Sequence, residues 1–369
     1  MATPAGISKR SDGRWTVKYQ GKQTTCKTEA DAKRKLKEMK AASKVASVEV
    51  EKMTVANAVE KWLRIKSGKL KPKSYDRLEQ TWNNQVKRYI GHIQFSALKS
   101  YDIEDMLLDL HSKNYSKSSI KKTYDFINAC CKYYHEKNEI SNNPAAYVEI
   151  PSGAEKPKGE IAFYTDEELE RIYKAATKLY SNGVQVYPQG WAVVLLGNTG
   201  LRFCELSGLT WKNVDMENKI IHIKNTRVIV KNRDESQDKK TKVIDQTTTK
   251  TESGKRDVPL NETALCAINH LYETRNGAKY VLSTRAGTPL GQKSFDTTFR
   301  RILKAADIPE DKIYGVHSMR HSFATSLIRK KVPVKVVSKL LGHSDITITL
   351  QTYVHALQDD YADAVATLD

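Results

Sequence analysis

The sequence predicts a multidomain, mainly α fold with small β-sheets. Three observations carry that expectation. The chain has 369 residues, 39% of them hydrophobic, which supports more than one packed core and argues against wholesale disorder. Helix-like patterning dominates from residue 54 onward, and strand-like stretches are confined to the N-terminus and to about 219–260. Two stretches, "KVASVEVEKM" (44–53) and "PSGAEKPKGE" (151–160), read as linkers. They divide the chain into a β-rich unit over 1–50, a helical unit over 54–150 and a mixed α+β unit over 160–369.

In the first unit, Ser11-Asp12-Gly13 reads as a hairpin turn. Trp15, Val17 and Tyr19 alternate with Thr16 and Lys18, the period of a strand. Thr28 caps a lysine-rich helix from about Glu29 to Lys44. The expectation is a three-stranded sheet on one helix, with Arg10, Arg14 and Lys18 on its outer face. Such a unit can lie in a DNA groove, or be a small soluble domain without a partner.

The second unit reads as four helices, near Thr54–Ser67, Lys73–Ile90, Asp102–Ser112 and Lys117–Lys137. Gly68, Pro72, Gly91 and Pro144 mark the breaks. Lys69, Lys71, Lys73, Lys121 and Lys122 fall at or near helix starts, where a cation opposes the helix dipole. Phosphate contact explains them, and so does a solvated face.

In the third unit, Thr165 and Glu168 form a capping box opening a helix over 166–179. Helices near 188–197 and 202–209 follow. Short strands come next, around 219–224, 226–230, 241–244 and 256–260. Helices resume near 261–275, 292–306, 316–330 and 334–341, ahead of a C-terminal tail with Val354, Leu357, Tyr361, Val365 and Leu368 at helical spacing.

The formal charge is +18, spread as +7 over 1–50, +5 over 53–150 and +6 over 153–369. A basic tail alone does not give that distribution. A chain that lies along a polyanion with every domain does. The longest apolar stretches, such as Trp191–Leu196, are too short to cross a bilayer, and no N-terminal run reads as a signal peptide. Cys26, Cys130, Cys131, Cys204 and Cys266 show no zinc-ligand pairing and read as reduced, mostly buried cytosolic thiols.

Four motifs carry candidate chemistry. "GNTGLRFCELSGLTW" (197–211) places Arg202 and Glu205 at the start of a helix, where the carboxylate at i+3 can brace the guanidinium. "TTTKTESGKRDVPL" (247–260) carries Lys250 in a hairpin-like segment, with Lys255 as a competing lysine. "VHSMRHSF" (316–323) puts His317, Arg320 and His321 on one helical face, which makes an anion cradle, a metal site or a solvated face. "LLGHSDITITLQTYVH" (340–355) has His343 after a glycine and Tyr353 further on. Taken singly, each is as compatible with an ion pair, a turn or a cap.

Together, Arg202, Lys250, His317, Arg320, His343 and Tyr353, in that order and in the contexts TGLRxxEL, TKTxSxxRxVPL, HxxRHSFAT, LLGHS and TYxH, resemble the tyrosine recombinase (phage integrase) family. The resemblance covers about 160–360 at motif strength and extends loosely over 54–150 and 1–50. It implies an arm-type DNA-binding domain over 1–50, a SAM-like core-binding domain over 54–150 and a catalytic domain over 160–369. Phe203-Cys204 and a segment over 226–249 longer than a minimal hairpin depart from the family pattern.

The resemblance further implies that Arg202 and Arg320 clamp a DNA phosphate. Tyr353 is the nucleophile, His317 takes its proton, Lys250 protonates the departing 5′-oxygen and His343 hydrogen-bonds the phosphate. Glu205 orients Arg202, and His321 supports the structure. Two guanidiniums in a dry site can do for phosphorus what a metal does elsewhere, so no metal and no cofactor is expected. A phenol has a free pKa of about 10 and needs its proton removed before it attacks. The product is a 3′-phosphotyrosyl link that a 5′-hydroxyl reseals without ATP. Two duplexes cut twice each require four sites, hence a homotetramer on double-stranded DNA at core and arm sites.

The family also implies an excision factor and a host DNA-bending protein as helpers, integration and excision of a phage or conjugative transposon as the task, and the bacterial cytoplasm, at the nucleoid, as the location. A type IB topoisomerase-like nicking–closing enzyme and a non-catalytic DNA-binding regulator are the alternatives.

Overall fold

The computed structural model describes residues 5–19, 22–151, 162–234, 236, 240–246 and 254–353, with residues 22 and 41–51 as backbone only. The chain divides into two compact units, Met1–Pro157 and Lys158–Asp369. No helix among the described residues is long and apolar enough to cross a membrane.

The first unit opens with an antiparallel meander of β1 (Ile7–Lys9), β2 (Trp15–Tyr19) and β3 (Lys22–Cys26), with Val17 paired to Ile7 on one side and Thr24 on the other. The expected turn is present, closed by Arg10 N–H donating to the Arg14 carbonyl at 2.8 Å. Helix α1 (Glu29–Glu51) packs on the sheet through a small core of Ile7, Val17, Ala32 and Leu36. Its start is capped by Thr28 Oγ1, which accepts from Asp31 N–H at 3.1 Å. The stretch 44–53, read from sequence as a linker, is helical as far as Glu51. It contains neither proline nor glycine, so nothing in it ends the helix.

The helical part follows as α2 (Val55–Ser67), α3 (Pro72–Thr81), α4 (Lys87–Ile90), α5 (Ser100–Ser112) and α6 (Lys117–Glu136). A π-turn over Trp82–Val86 joins α3 to α4, with Lys87 N–H donating to the Trp82 carbonyl. The single helix expected over 73–90 is therefore wound more widely in its middle. That widening accompanies a core in which Trp82 stacks on Phe126 at 6.4 Å and Trp62 meets the same ring edge-on at 5.4 Å. Cys130 and Cys131 are both buried here, Cys26 and Cys204 are partly buried, and Cys266 is exposed. Fewer thiols are buried than the sequence suggested, because Cys266 lies on the outer face of its helix.

The second unit is built around α8 (Gly190–Thr199), whose Ala192, Val193, Val194, Leu195 and Leu196 are all buried. A helix apolar all round belongs in the middle of its domain. It contacts α7 (Asp166–Ala176), α10 (Glu262–Glu273), α11 (Gln292–Ala305) and α12 (His317–Arg329). The expected capping box opens α7: Glu168 N–H donates to Thr165 Oγ1 at 3.2 Å and Thr165 N–H to Glu168 Oε2 at 2.9 Å.

After α9 (Phe203–Gly208), β4 (Val214–Asp215), β5 (Ile220–Ile223) and β8 (Arg256–Pro259) form one antiparallel sheet in the order β4-β5-β8. Between β5 and β8 in the chain, β6 (Thr226–Lys231) and β7 (Thr241–Gln246) make a separate two-stranded ribbon. Two helices close the described chain, α13 (Val334–Leu341) and α14 (Ile346–Tyr353). Helix α14 was not evident in the sequence, since "ITIT" is a poor helix former. It forms where Thr349 and Tyr353, one turn apart, are buried in the protein interior.

Candidate active site

Helix α8 ends at Gly200, which takes the left-handed conformation with φ +62°. A Cβ there would stand 2.4 Å from Phe323 Cδ1, so the turn and the close approach of α12 both require glycine. The turn delivers Arg202 as the residue capping α9. Glu205, in the first turn, accepts from Arg202 N–H at 2.8 Å and from Arg202 Nη1 at 2.9 Å. The pairing expected from the i, i+3 spacing is present. The Arg202 side chain is 33% exposed against 2% for Glu205, so the guanidinium faces outward from a buried carboxylate.

Glu205 has a second partner, an arginine inside the "SGKRDVPL" stretch to which the sequence alone assigns no role. Arg256, on β8, donates from Nη1 to Oε1 at 3.1 Å and from Nη2 to Oε2 at 3.0 Å, and from Nε to the Leu340 carbonyl at 2.6 Å. Burial pushes the Glu205 carboxyl up, but the Arg256 hydrogen bond and the charges of Arg256 and Arg202 hold it net below its usual range. The arginine of that motif was the available signal. Its partner lies 51 residues away in the chain.

Arg320 lies in the first turn of α12 and is 2% exposed. Its Nη1 donates to the Gly200 carbonyl at 2.8 Å and its Nη2 to the Leu341 carbonyl at 2.7 Å. Arg202 Nη1 reaches the same Leu341 carbonyl at 3.4 Å. Arg202, Arg256 and Arg320 thus converge on the C-terminal carbonyls of α13, the negative end of that helix. Gly342, at φ +66°, ends α13 and turns the chain toward His343. Burial, followed by the charge of Arg202, pulls the Arg320 guanidinium down to about 9, which leaves it charged at neutral pH.

Both histidines assigned from the motifs feel this positive cluster. Burial first, then Arg320 and Arg202, lower the pKa of His317. The same causes, with Arg256 added, bring His343 down to about 4. The imidazole of His343 is oriented by a 2.7 Å hydrogen bond between Nδ1 and Thr349 Oγ1 on α14. Both rings are therefore neutral at neutral pH unless negative charge arrives.

Tyr353, at the end of α14, is 1% exposed among Ala324, Ile328, Val337 and Leu341. Its hydroxyl meets His321 Nδ1 at 2.9 Å. Burial pushes the phenol up to about 12, against the pull of Arg320 and then Arg202. His317 and His321 face each other edge-on at 4.8 Å. The site as a whole can bind an anion between arginines and hold a phenol beside it.

Lys250 and the apolar positions of the tail, Val354, Leu357, Tyr361, Val365 and Leu368, lie outside the described residues. Lys255 is exposed and lines a cleft of about 500 Å³ with Lys224, Asn225, Arg256 and Asp257. In the first unit Arg10, Arg14 and Lys18 are exposed, with Asp12 paired to Arg14 at 2.8 Å and to Arg10 at 3.5 Å. Lys71 precedes α3, Lys73 lies in its first turn and Lys69 in the turn before; all three are exposed. Lys121 and Lys122 are exposed one turn into α6, with Lys121 paired to Asp125 at 3.2 Å.

Known proteins resemble this chain in sequence and in fold. A XerC-like tyrosine recombinase of Caldanaerobacter subterraneus is 29% identical over 346 residues, 88% of this chain and 84% of that protein. The transposase of transposon Tn916 from Enterococcus faecalis is 23% identical over 287 residues, 74% of this chain and 67% of that protein. Among solved structures, the integrase of transposon Tn1549 in complex with transposon right-end DNA superposes with a TM-score of 0.67 at 25% identity, over 86% of this chain and 99% of that one. A lambda integrase dimer bound to a core site shares the fold, with a TM-score of 0.62 at 16% identity over 96% of this chain and 95% of that one. The phage integrase family profile matches residues 162–359, more than half of the chain, and the chain therefore belongs to that family, the tyrosine recombinases.

Proposed function

We propose that this protein is a site-specific DNA recombinase of a mobile element, which cuts and rejoins strands through a 3′-phosphotyrosyl link at Tyr353. The observation that carries the reading is the convergence of Arg202 and Arg320 on the Leu341 carbonyl, with the phenol of Tyr353 within their field. A guanidinium has five N–H donors, so each arginine keeps donors for a phosphate after meeting these carbonyls. As Tyr353 Oη adds to phosphorus, charge grows on the non-bridging oxygens, and fixed cations in a largely dry site stabilise it. His343 and His317 hydrogen-bond the phosphate or move protons around it. Glu205 holds Arg202 in place, and Lys250 or Lys255 protonates the departing 5′-oxygen.

The likeness to transposon integrases, one of them solved on transposon-end DNA, supports a mobile element as the source. The exposed cations Arg10, Arg14, Lys18, Lys69, Lys71, Lys73, Lys121 and Lys122 are assigned to the DNA backbone, with 1–50 on arm sites and 54–150 on core sites. Strand exchange between two duplexes requires four nucleophiles, and a lambda integrase tetramer on a Holliday junction shares this fold. An excision factor and a host bending protein would set direction by shaping the DNA.

The test is a nicked suicide duplex spanning the junction of the element's ends. Wild-type protein should be trapped covalently, and Tyr353→Phe should leave no adduct. Relaxation of supercoils with no defined sequence would instead mark a nicking–closing enzyme. Binding without cleavage under any condition would mark a regulator.

A further inference from the structure

The phenol of Tyr353 and the ring of His321 belong to different helices, α14 and α12, and meet at 2.9 Å between Oη and Nδ1. The family pattern places the proton acceptor at His317. In this fold the ring nitrogen hydrogen-bonded to the attacking oxygen is that of His321. The step requires the tautomer in which the phenol O–H donates, Nδ1 accepts and the imidazole carries its own proton on Nε2. The distance lies within the reach that a general base needs. Tyr353 is 1% exposed, whereas His321 is half-buried, so the imidazole reaches solvent where the phenol does not. It also follows Arg320, the arginine assigned to the phosphate, directly in the sequence of α12.

We propose that His321 is a catalytic residue that accepts the phenol proton of Tyr353 as Oη attacks phosphorus. The inference rests on the reading of Tyr353 as nucleophile. In the step, the Tyr353 O–H bond breaks and its proton passes to His321 Nδ1, giving an imidazolium. The Oη–P bond forms and the P–O5′ bond breaks. The electron pair leaves with the 5′-oxygen, which takes a proton from the separate acid assigned above, Lys250 or Lys255. On resealing, the imidazolium returns its proton to Oη. The high phenol pKa that burial imposes makes an acceptor at this position more consequential.

The experiment uses the full chain and measures single-turnover adduct formation on the nicked junction duplex, together with DNA affinity and melting temperature. His321→Ala removes the base, and His321→Asn keeps a polar group of similar reach that cannot hold the proton. Both should bind DNA as wild type does and form adduct about 10²-fold or more slowly. Replacing Tyr353 in the His321→Ala protein by a fluorinated tyrosine, whose phenol ionises more easily, should recover at least about tenfold of that loss. A merely structural role would not give this rescue. An adduct rate equal to or faster than wild type in a folded His321 variant overturns the proposal, as does a slow variant that the fluorinated phenol does not rescue. Adduct formation by Tyr353→Phe is a different result: the nucleophile assignment itself has then failed.

Discussion

Arg256 grips Glu205 with both terminal nitrogens, at 3.1 and 3.0 Å, and the same carboxylate holds Arg202 at 2.9 Å. One buried anion therefore sets the position of two cations, and one of those faces outward to the site. Arg256→Ala leaves Glu205, 2% exposed, without its two-pronged partner, which should cost about 3–5 kcal/mol of stability. Arg256→Lys cannot reproduce the fork and should recover only part of that. Urea denaturation of the two variants and of a Glu205→Ala double-mutant cycle measures both effects.

Glu205 also predicts a response to acid. Its folded pKa is depressed, so its contribution to stability is present above the unfolded value of about 4.3 and is lost as pH falls through the folded one. Glu205→Gln should lose stability at neutral pH and show a shallower further decline below about pH 4. Denaturation midpoints at pH 7 and pH 3.5 compare the slopes.

His343 acts in a different window. Its folded pKa of about 4 lies below the unfolded value of about 6.5, so between those limits the unfolded chain binds a proton that the folded one refuses. Stability is full above about pH 6.5 and declines as pH falls toward 4, and His343→Gln should flatten part of that decline. Bound DNA brings negative charge to the arginines that depress the ring, so NMR titration should find the His343 pKa higher in the complex.

Gly200→Ala tests the turn that joins α8 to Arg202. The added Cβ meets Phe323 at 2.4 Å in a left-handed conformation, so a loss of at least about 1–3 kcal/mol is expected. Because the Gly200 carbonyl accepts from Arg320 Nη1, adduct formation should slow as well, even at a temperature where the variant is folded. Melting curves and suicide-substrate kinetics read the two effects separately.

In the helical part of the first unit, Lys69→Ala combined with Lys71→Ala should weaken DNA binding of every sequence alike. The log–log salt dependence should become shallower by about one for each phosphate that the variant no longer neutralises. Fluorescence anisotropy over a salt series measures it. An unchanged slope would mean that these lysines only solvate the start of α3.

Local chemistry makes much of this molecule legible from its residues. The alternation of Trp15, Val17 and Tyr19 marks β2, Thr165 and Glu168 mark the start of α7, and the Arg202–Glu205 pair follows from helical spacing alone. These are interactions within a few residues, where propensity and period decide the outcome. Tertiary packing decided the rest. It placed a π-turn at Trp82–Val86 and made a helix of the threonine-rich stretch before Tyr353. It also joined Arg256 to Glu205 across 51 residues and chose, between two histidines on one face of α12, the one that meets the phenol. The sequence by itself named Arg202, Glu205, His317, Arg320, His321, His343 and Tyr353 as candidates and passed over Arg256. Only the packing of α12, α13 and α14 decided which of them touch, because a hydrogen bond depends on the rotation and depth of each helix, and buried contacts from the whole domain fix both.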